Sequence, residues 1–240
     1  MLVWIVLSVL HLLQQQTSAI KARDTAAATK PVICIDPGHP SEVSSGAELQ
    51  NGTTEVYIAW TVGLKLQKAL EARGCKVIMT KSKEHELVKN RDRARIANAA
   101  GAALMIRLHC DATTDSGFTI YYPDRQGTKD GMTGPAPEVI QRSQQAAAAI
   151  HAEMVKFLNG ALKDGGVRGD SKTLIGSKQG VLTGSIFSEV PVVTIEMVVL
   201  SNKSDAEFIK SEAGQQKMVL ALAAGVARFV TVQSKNSHEE

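Results

Sequence analysis

Residues 31–39 read PVICIDPGH, a β-branched run that ends in an Asp-Pro-Gly turn. Such a run followed by turn residues predicts a strand. Two further apolar runs, KVIMT at 76–80 and ALMIRLH at 103–109, are separated from the first and from each other by helix-like stretches at 55–73 and 91–100. An alternation of strand and helix predicts right-handed crossovers and parallel strands. We therefore predict a single α/β domain with a mostly parallel central sheet flanked by helices on both faces.

The rest of the chain continues the pattern with one irregular interval. Residues 123–137 contain Gly and Pro and show no periodicity, so we predict a loop or a lid that lies beside a functional site. The other predicted elements are strands at 118–122, 172–175 and 192–196 and helices at 138–162 and 212–230.

The composition indicates a packed globular protein. The chain has 240 residues, of which 44% are hydrophobic and 21% charged, so one domain can bury a core. The net charge of +3 comes without a dense Lys/Arg patch, and we predict no nucleic-acid partner. The three cysteines form no C-x-x-C pair or disulfide framework, which suits small buried hydrophobes.

The first residues resemble an export signal. An apolar run at 2–13 is followed by small residues at Thr17 and Ala19, an arrangement typical of a cleavage site. We predict a signal peptide and flexible leader at 1–30, a catalytic domain at 31–232 and a polar tail at 233–240. The expected location is the periplasm or the extracellular cell wall, with no stable membrane insertion after processing. A short membrane anchor is the alternative.

Polar side chains stand where three predicted strands end. His39 follows the first strand, His109 closes the third, and Glu196 closes the run VVTIE. Parallel strands bring their carboxyl ends to one edge, where open α/β folds build ligand sites, and Glu55 at the start of a helix can reach that edge. Two imidazoles and a carboxylate leave a fourth position for water in an open zinc site. No H-E-x-x-H motif marks these ligands, so the pattern alone is suggestive.

Three segments carry a family resemblance. They are VICIDPGHPSEVSSGAELQNGTTEVYIAWTVGLKLQKALEARGCKVIMT at 32–80, RARIANAAGAALMIRLHCDA at 93–112 and PVVTIEMVVLSN at 191–202. Together they resemble the zinc-dependent N-acetylmuramoyl-L-alanine amidases. The resemblance implies one Zn²⁺ on His39, Glu55 and His109, and Glu196 as the catalytic acid/base. It also implies peptidoglycan as the substrate, cut between N-acetylmuramic acid and L-alanine; a protein activator stays unknown.

Some residues depart from the family pattern. Pro40-Ser41 replaces the usual Gly-Gly, Asp111 stands where Asn is common, and Val198-Val199 replaces Gly-Phe. No predicted ligand is lost, and the departures concern the shape of the substrate groove and the hydrogen bonds around the ligands. Two other functions stay open: an exported zinc peptidase acting on stem peptides, and a non-catalytic wall-binding regulator on the same fold.

Other polar residues allow two interpretations each. Asp36 either caps the turn or orients His39 through its second ring nitrogen. Arg93 either binds a substrate carboxylate or forms a salt bridge on the helix surface. His151 is expected on a polar helix face, with a lid histidine that reaches the metal as the alternative. Cys110 should point to the sheet face opposite His109 because side chains alternate along a strand.

Overall fold

The computed structural model describes residues 30–236, and side chains as far as residue 233. The predicted signal peptide and leader lie outside these residues except for Lys30, as do the last four residues of the predicted tail. Within residues 30–236, we find no helix that combines the length and the apolar character needed to cross a membrane.

The described residues contain eight strands. In chain order they are β1 (Val32–Pro37), β2 (Lys76–Met79), β3 (Leu104–Asp111), β4 (Phe118–Tyr122), β5 (Gly127–Lys129), β6 (Met132–Gly134), β7 (Asp164–Gly169) and β8 (Val192–Val199). Six of them form one sheet in the order β2-β1-β3-β8-β4-β7, and β5 and β6 form a separate hairpin. Every pairing in the large sheet is parallel except that between β4 and β8. The predicted mostly parallel sheet is confirmed.

Helices cover both faces of this sheet, as predicted. They are α1 (Glu55–Glu71), α2 (Asn90–Ala99), α3 (Pro137–Leu158), α4 (Gly176–Gln179), α5 (Thr183–Ile186), α6 (Lys203–Lys210) and α7 (Glu212–Asn236). The main core lies where α1, α3, α6 and α7 pack on one face. Each fully buried Ile or Leu there contributes about 2 kcal/mol of hydrophobic free energy. A smaller cluster under α2, which contains Cys34 and Met105, covers the other face.

The start of α1 shows how local sequence positions the future site. Thr54 has extended backbone angles, and its side chain accepts a hydrogen bond from the backbone N–H of Tyr57. A threonine in this position satisfies one of the free N–H groups at a helix start. The next residue is Glu55, so the cap places that carboxylate at the first turn of the helix, next to the carboxyl edge of the sheet.

Two predictions about irregular segments are wrong. Residues 172–175 are not a strand: Lys172 ends a 3₁₀ turn that begins at Asp170, and residues 173–175 lead into α4. The strand of this region is β7. The sequence of β7, DGGVRG, has a single β-branched residue, Val167, and three glycines, and β7 pairs on one side only, at the sheet edge. Residues 123–137 are not structureless, because they contain the β5–β6 hairpin around an Asp130-Gly131 turn.

Candidate metal centre

His39, Glu55 and His109 come together at the carboxyl edge of the sheet. One potential ligand atom from each residue lies within 4.8 Å of the others, and this is the one such group among the described residues. His39 follows β1, His109 lies on β3, and Glu55 begins α1. The predicted convergence of these three side chains is therefore present, and the group could hold a metal ion.

The Glu55 carboxylate lies between the two imidazoles. Its Oε2 is 3.0 Å from Nε2 of His39 and its Oε1 is 2.9 Å from Nδ1 of His109. Burial by itself would raise the pKa of Glu55, but the hydrogen bonds from both histidines outweigh it and lower that pKa to about 2. The carboxylate is thus ionised at neutral pH, which is the form that binds a metal.

The two histidines respond differently to the same carboxylate. Burial dominates at His109 and lowers its pKa despite the contact with Glu55. Burial also acts to lower the pKa of His39, but the hydrogen bond and charge of Glu55 outweigh it and the pKa is raised. The Nδ1–H of His39 donates to the carbonyl oxygen of Ser44 at 3.1 Å, which leaves Nε2 facing Glu55.

Two glycines allow the imidazoles to approach the backbone. A Cβ atom on Gly38 would lie 2.4 Å from Cε1 of His109, and one on Gly46 would lie 2.6 Å from Cβ of His39. Neither distance is compatible with a side chain. His39 itself has a φ of 57°, a left-handed conformation that is uncommon for a residue other than glycine.

The turn that carries His39 is held through its backbone carbonyl groups. Arg93 donates hydrogen bonds to the carbonyl oxygens of Pro37 at 2.9 Å and Pro40 at 2.7 Å. Lys81 donates to the two carbonyl oxygens between them, those of Gly38 and His39. Four successive carbonyl groups therefore accept hydrogen bonds from two cationic side chains.

Asp36 is the buried anion of this region. Its Oδ1 accepts hydrogen bonds from Thr80 and from Nη1 of Arg93, both at 2.5 Å, and its Oδ2 accepts from Nε of Arg107 at 2.8 Å. Burial opposes ionisation, but the two guanidinium charges outweigh it and hold the pKa of Asp36 below its usual range. Asp36 does not contact the second ring nitrogen of His39, so that interpretation is wrong.

The substrate-carboxylate interpretation of Arg93 is also wrong. This side chain is fully buried, and its donors are used by Asp36 and by backbone carbonyl groups. The lid-histidine alternative for His151 fails as well, because its Nε2 pairs with Asp164 at 2.9 Å, away from the cluster. Cys110 belongs to the main core, on the face opposite His109, as predicted.

Glu196 lies beside His109 on the neighbouring strand. The two residues are register partners in the parallel pairing of β3 and β8. The Oε2 atom of Glu196 is buried and has no hydrogen-bond partner among the described residues. Burial, followed by the negative charges of Glu55 and Asp111, raises the pKa of Glu196 well above its usual value. These surroundings favour the protonated form of the carboxyl group.

A cleft of about 260 Å³ opens above His39, His109 and Glu196. Its floor includes three side chains that the sequence analysis did not single out: Arg107, Tyr121 and Thr194. The sequence did contain a signal for Arg107. It is a charged residue inside the apolar run ALMIRLH, and it stands two positions before His109, so the two side chains share a face of the strand.

The wall of the cleft differs from the predicted lid. Residues 173–175 and 182–183 line it, whereas residues 123–137 do not. The hairpin in that interval packs instead against the outer side of this wall: a Cβ on Gly127 would lie 2.5 Å from the carbonyl oxygen of Gln179, and one on Gly134 would lie 2.3 Å from that of Ile186. The predicted position of a lid at 123–137 beside the site is wrong.

The fold and the cluster define a class: an α/β protein with a group that could hold a metal ion in an open cleft at the carboxyl edge of its sheet. The chain belongs to the N-acetylmuramoyl-L-alanine amidase family, whose family model matches residues 33–228.

Individual proteins agree with this assignment. The chain is 25% identical over 228 residues to N-acetylmuramoyl-L-alanine amidase Rv3717 of Mycobacterium tuberculosis, with 85% of this chain and 88% of the relative covered. It is 22% identical to AmiA of Escherichia coli, with 91% and 83% covered. Among solved structures, the amidase AmiC2 of Nostoc punctiforme superimposes with a TM-score of 0.68 at 19% identity, with 85% of this chain and 99% of that chain covered, which shows the shared fold.

The predicted activity is confirmed at the level of the family. The protein is an N-acetylmuramoyl-L-alanine amidase, a hydrolase of the amide bond between N-acetylmuramic acid and L-alanine in peptidoglycan.

Proposed function

We propose that this amidase is a one-zinc enzyme in which His39, Glu55 and His109 bind the ion and Glu196 moves the proton. The observation that carries the proposal is the cluster itself: two imidazole nitrogens and a carboxylate within 4.8 Å of one another, at the edge of an open cleft. Two histidines, one glutamate and a free position form a common donor set of catalytic zinc sites.

Two of the donors also fit zinc in their protonation, and the third fits in its orientation. The lowered pKa values of Glu55 and His109 favour the ionised carboxylate and the neutral imidazole, which are the metal-binding forms. The Ser44 carbonyl group orients the ring of His39 so that Nε2 is available. A bound zinc ion supplies Lewis acidity, which polarises a carbonyl group and lowers the pKa of water.

In this proposal, Glu196 carries out the proton transfers that amide hydrolysis requires. It takes a proton from the attacking water and delivers it to the departing nitrogen, because an amine anion is a poor leaving group. Its place beside His109 in the strand register supports this role. Its raised pKa favours the protonated form that delivers the proton to the nitrogen. A group of this kind contributes about 10²- to 10⁴-fold to the rate.

We also infer that the protein is exported to the periplasm or the cell wall. The support is the predicted signal at residues 1–30 together with a substrate that lies outside the cytoplasm. N-terminal sequencing of the protein recovered from its native compartment tests this, and a chain that starts at Met1 there contradicts cleavage.

One experiment tests the zinc proposal and the bond cut. Elemental analysis of the purified protein should give about one zinc per chain, and mass spectrometry of digested peptidoglycan should show stem peptides that begin with a free L-alanine amine. His39→Ala and His109→Ala should each lose most of the zinc and the activity. Full zinc content in both variants rules out the ligand assignment, and products cut within the stem peptide instead indicate a peptidase.

A further inference from the structure

A row of polar side chains crosses the sheet next to the proposed zinc site. The strand register pairs Asp36 of β1 with Arg107 of β3, Arg107 with Thr194 of β8, and Thr194 with Tyr121 of β4. Register partners share a sheet face, so these residues lie on the face that carries His109. Three of them, Arg107, Thr194 and Tyr121, line the cleft.

Arg107 still has donor capacity in this row. Its Nε donates to Asp36 at 2.8 Å and its Nη2 donates to Oδ1 of Asn90 at 2.7 Å. Its third nitrogen, Nη1, forms no hydrogen bond with any residue that the structure describes. A Cβ on Gly184 would lie 2.9 Å from this nitrogen, so the absence of a side chain at residue 184 lets the guanidinium group take this position.

The hydrogen-bond partners of Arg107 are incomplete. Asp36 is the hydrogen-bonded anion of both Arg93 and Arg107, so two buried guanidinium groups share one carboxylate. The side chain of Arg107 is only 4% exposed, and a buried cation with an incomplete set of partners is costly. Asp170 and Glu196 lie within electrostatic range but accept no hydrogen bond from it. An anionic ligand would supply the missing acceptor.

We propose that Arg107 is a substrate-binding residue that holds a carboxylate of the stem peptide close to the scissile amide. This inference rests on the proposed amidase function. Arg107 and His109 are two residues apart on β3, which separates their Cα atoms by about 7 Å. That spacing corresponds to about two residues of an extended peptide, so the carboxylate belongs to the second residue of the stem. A guanidinium group suits this role because it binds carboxylates with paired, charge-assisted hydrogen bonds.

The test uses two soluble substrates with the zinc-loaded protein. One is a muramoyl dipeptide with a free carboxylate on its second residue, and the other carries a carboxamide there. The kcat/KM of the unaltered protein should be about tenfold larger for the carboxylate substrate than for the carboxamide substrate. Arg107→Gln should lose this preference by reacting more slowly with the carboxylate substrate. Arg93→Lys disturbs the same network away from the cleft, and it should slow both substrates equally.

Arg95→Gln is the matched control, because this arginine is exposed on α2 and its side chain pairs with Asp92. It should keep the rate and the preference. If Arg107→Gln does not fold, inhibition of the unaltered protein by the two free dipeptides gives the same comparison, and the carboxylate form should inhibit at about tenfold lower concentration. Equal cleavage and equal inhibition overturn the role of Arg107 but leave the amidase function. Cleavage of neither substrate, nor of intact peptidoglycan, overturns the function itself.

Discussion

Lys81 and Arg93 share the carbonyl groups of a single turn: Arg93 bonds the outer pair, at residues 37 and 40, and Lys81 bonds the inner pair. Between these carbonyl groups lies His39, whose backbone is left-handed. If this turn were flexible, ordering it on metal binding would cost entropy, and the affinity of the imidazole for the metal would be lower. In the proposed role of His39 as a zinc ligand, the two cations would reduce that cost, because they hold the turn in one conformation.

Replacing Lys81 should therefore weaken zinc binding without removing a ligand. We expect Lys81→Met to retain the fold and to lower zinc affinity by roughly 10- to 100-fold, the usual effect of losing a group that orients a ligand. Competition with a chromophoric chelator measures this affinity. Lys83→Met is the control, since that side chain is exposed and should leave the affinity unchanged. Equal affinity in both variants contradicts the role of Lys81.

Asp36 should be among the most important residues for stability. Asp36→Asn keeps the shape but leaves Arg93 and Arg107 without their common counter-charge. Breaking a buried pair in this way costs about 3–5 kcal/mol of unfolding free energy. Urea denaturation measures the change, and Asp92→Asn, which removes a partly exposed carboxylate, should stay within about 0.5 kcal/mol of the unaltered protein. Similar midpoints for the two variants would show that the network is not stabilising.

Much of the fold and of the metal centre was predictable because the signals are local or follow from topology. Strand runs that alternate with amphipathic helices predict a parallel sheet, and parallel strands deliver His39, His109 and Glu196 to one edge. Thr54 capping the helix also places Glu55 correctly. None of these steps requires knowing which distant side chains touch.

Other features depend on contacts between residues far apart in sequence. The sequence around Arg93 does not indicate whether this residue pairs with a substrate, with solvent or with another side chain. Its partner is Asp36, which lies 57 positions away in the sequence. Strand β7 has few apolar residues, because it lies at the sheet edge and most of its residues are partly or fully exposed. The cleft wall at 173–175 was misread because an apolar pair, Leu174-Ile175, suggests a strand, whereas Leu174 is 76% exposed.

The two glutamates of the site should separate metal binding from catalysis. Glu196→Gln removes the proton carrier, so we expect it to keep zinc and fold while losing about 10²-fold or more of the hydrolytic rate. Glu55→Gln replaces a charged ligand with a weaker neutral one and should lower zinc content itself. Zinc analysis and turnover on the same preparations decide between the roles. Zinc loss from Glu196→Gln would make this residue a ligand, and near-normal turnover would remove it from the mechanism.

Asp170, a buried carboxyl group near the cleft wall, should make the stability of the protein depend on pH. Asp170 is 1% exposed, and its Oδ2 accepts a hydrogen bond from the Ser185 hydroxyl at 2.6 Å. Its Oδ1 is buried without a hydrogen-bond partner among the described residues. Burial raises the pKa of Asp170 by more than the hydrogen bond from Ser185 lowers it. The net result is a pKa of about 6, compared with an ordinary value of 3.8.

The sign of the resulting pH dependence follows from where the proton is bound. Between about pH 4 and pH 6 the folded protein keeps a proton on Asp170 that the unfolded chain releases, so this residue makes unfolding easier as the pH rises through that window. The stabilising free energy that the bound proton contributes at low pH is fully lost above the folded pKa, and it amounts to about 3 kcal/mol at most.

Asp170→Asn keeps the side chain neutral at every pH. Relative to the unaltered protein, it should therefore gain unfolding free energy progressively from pH 4 to pH 6 and keep that gain at pH 7. Urea denaturation at half-unit pH steps gives the difference curve, with Asp92→Asn as a control that should show no such rise. A flat difference curve for Asp170→Asn would mean that the folded protein does not hold that proton.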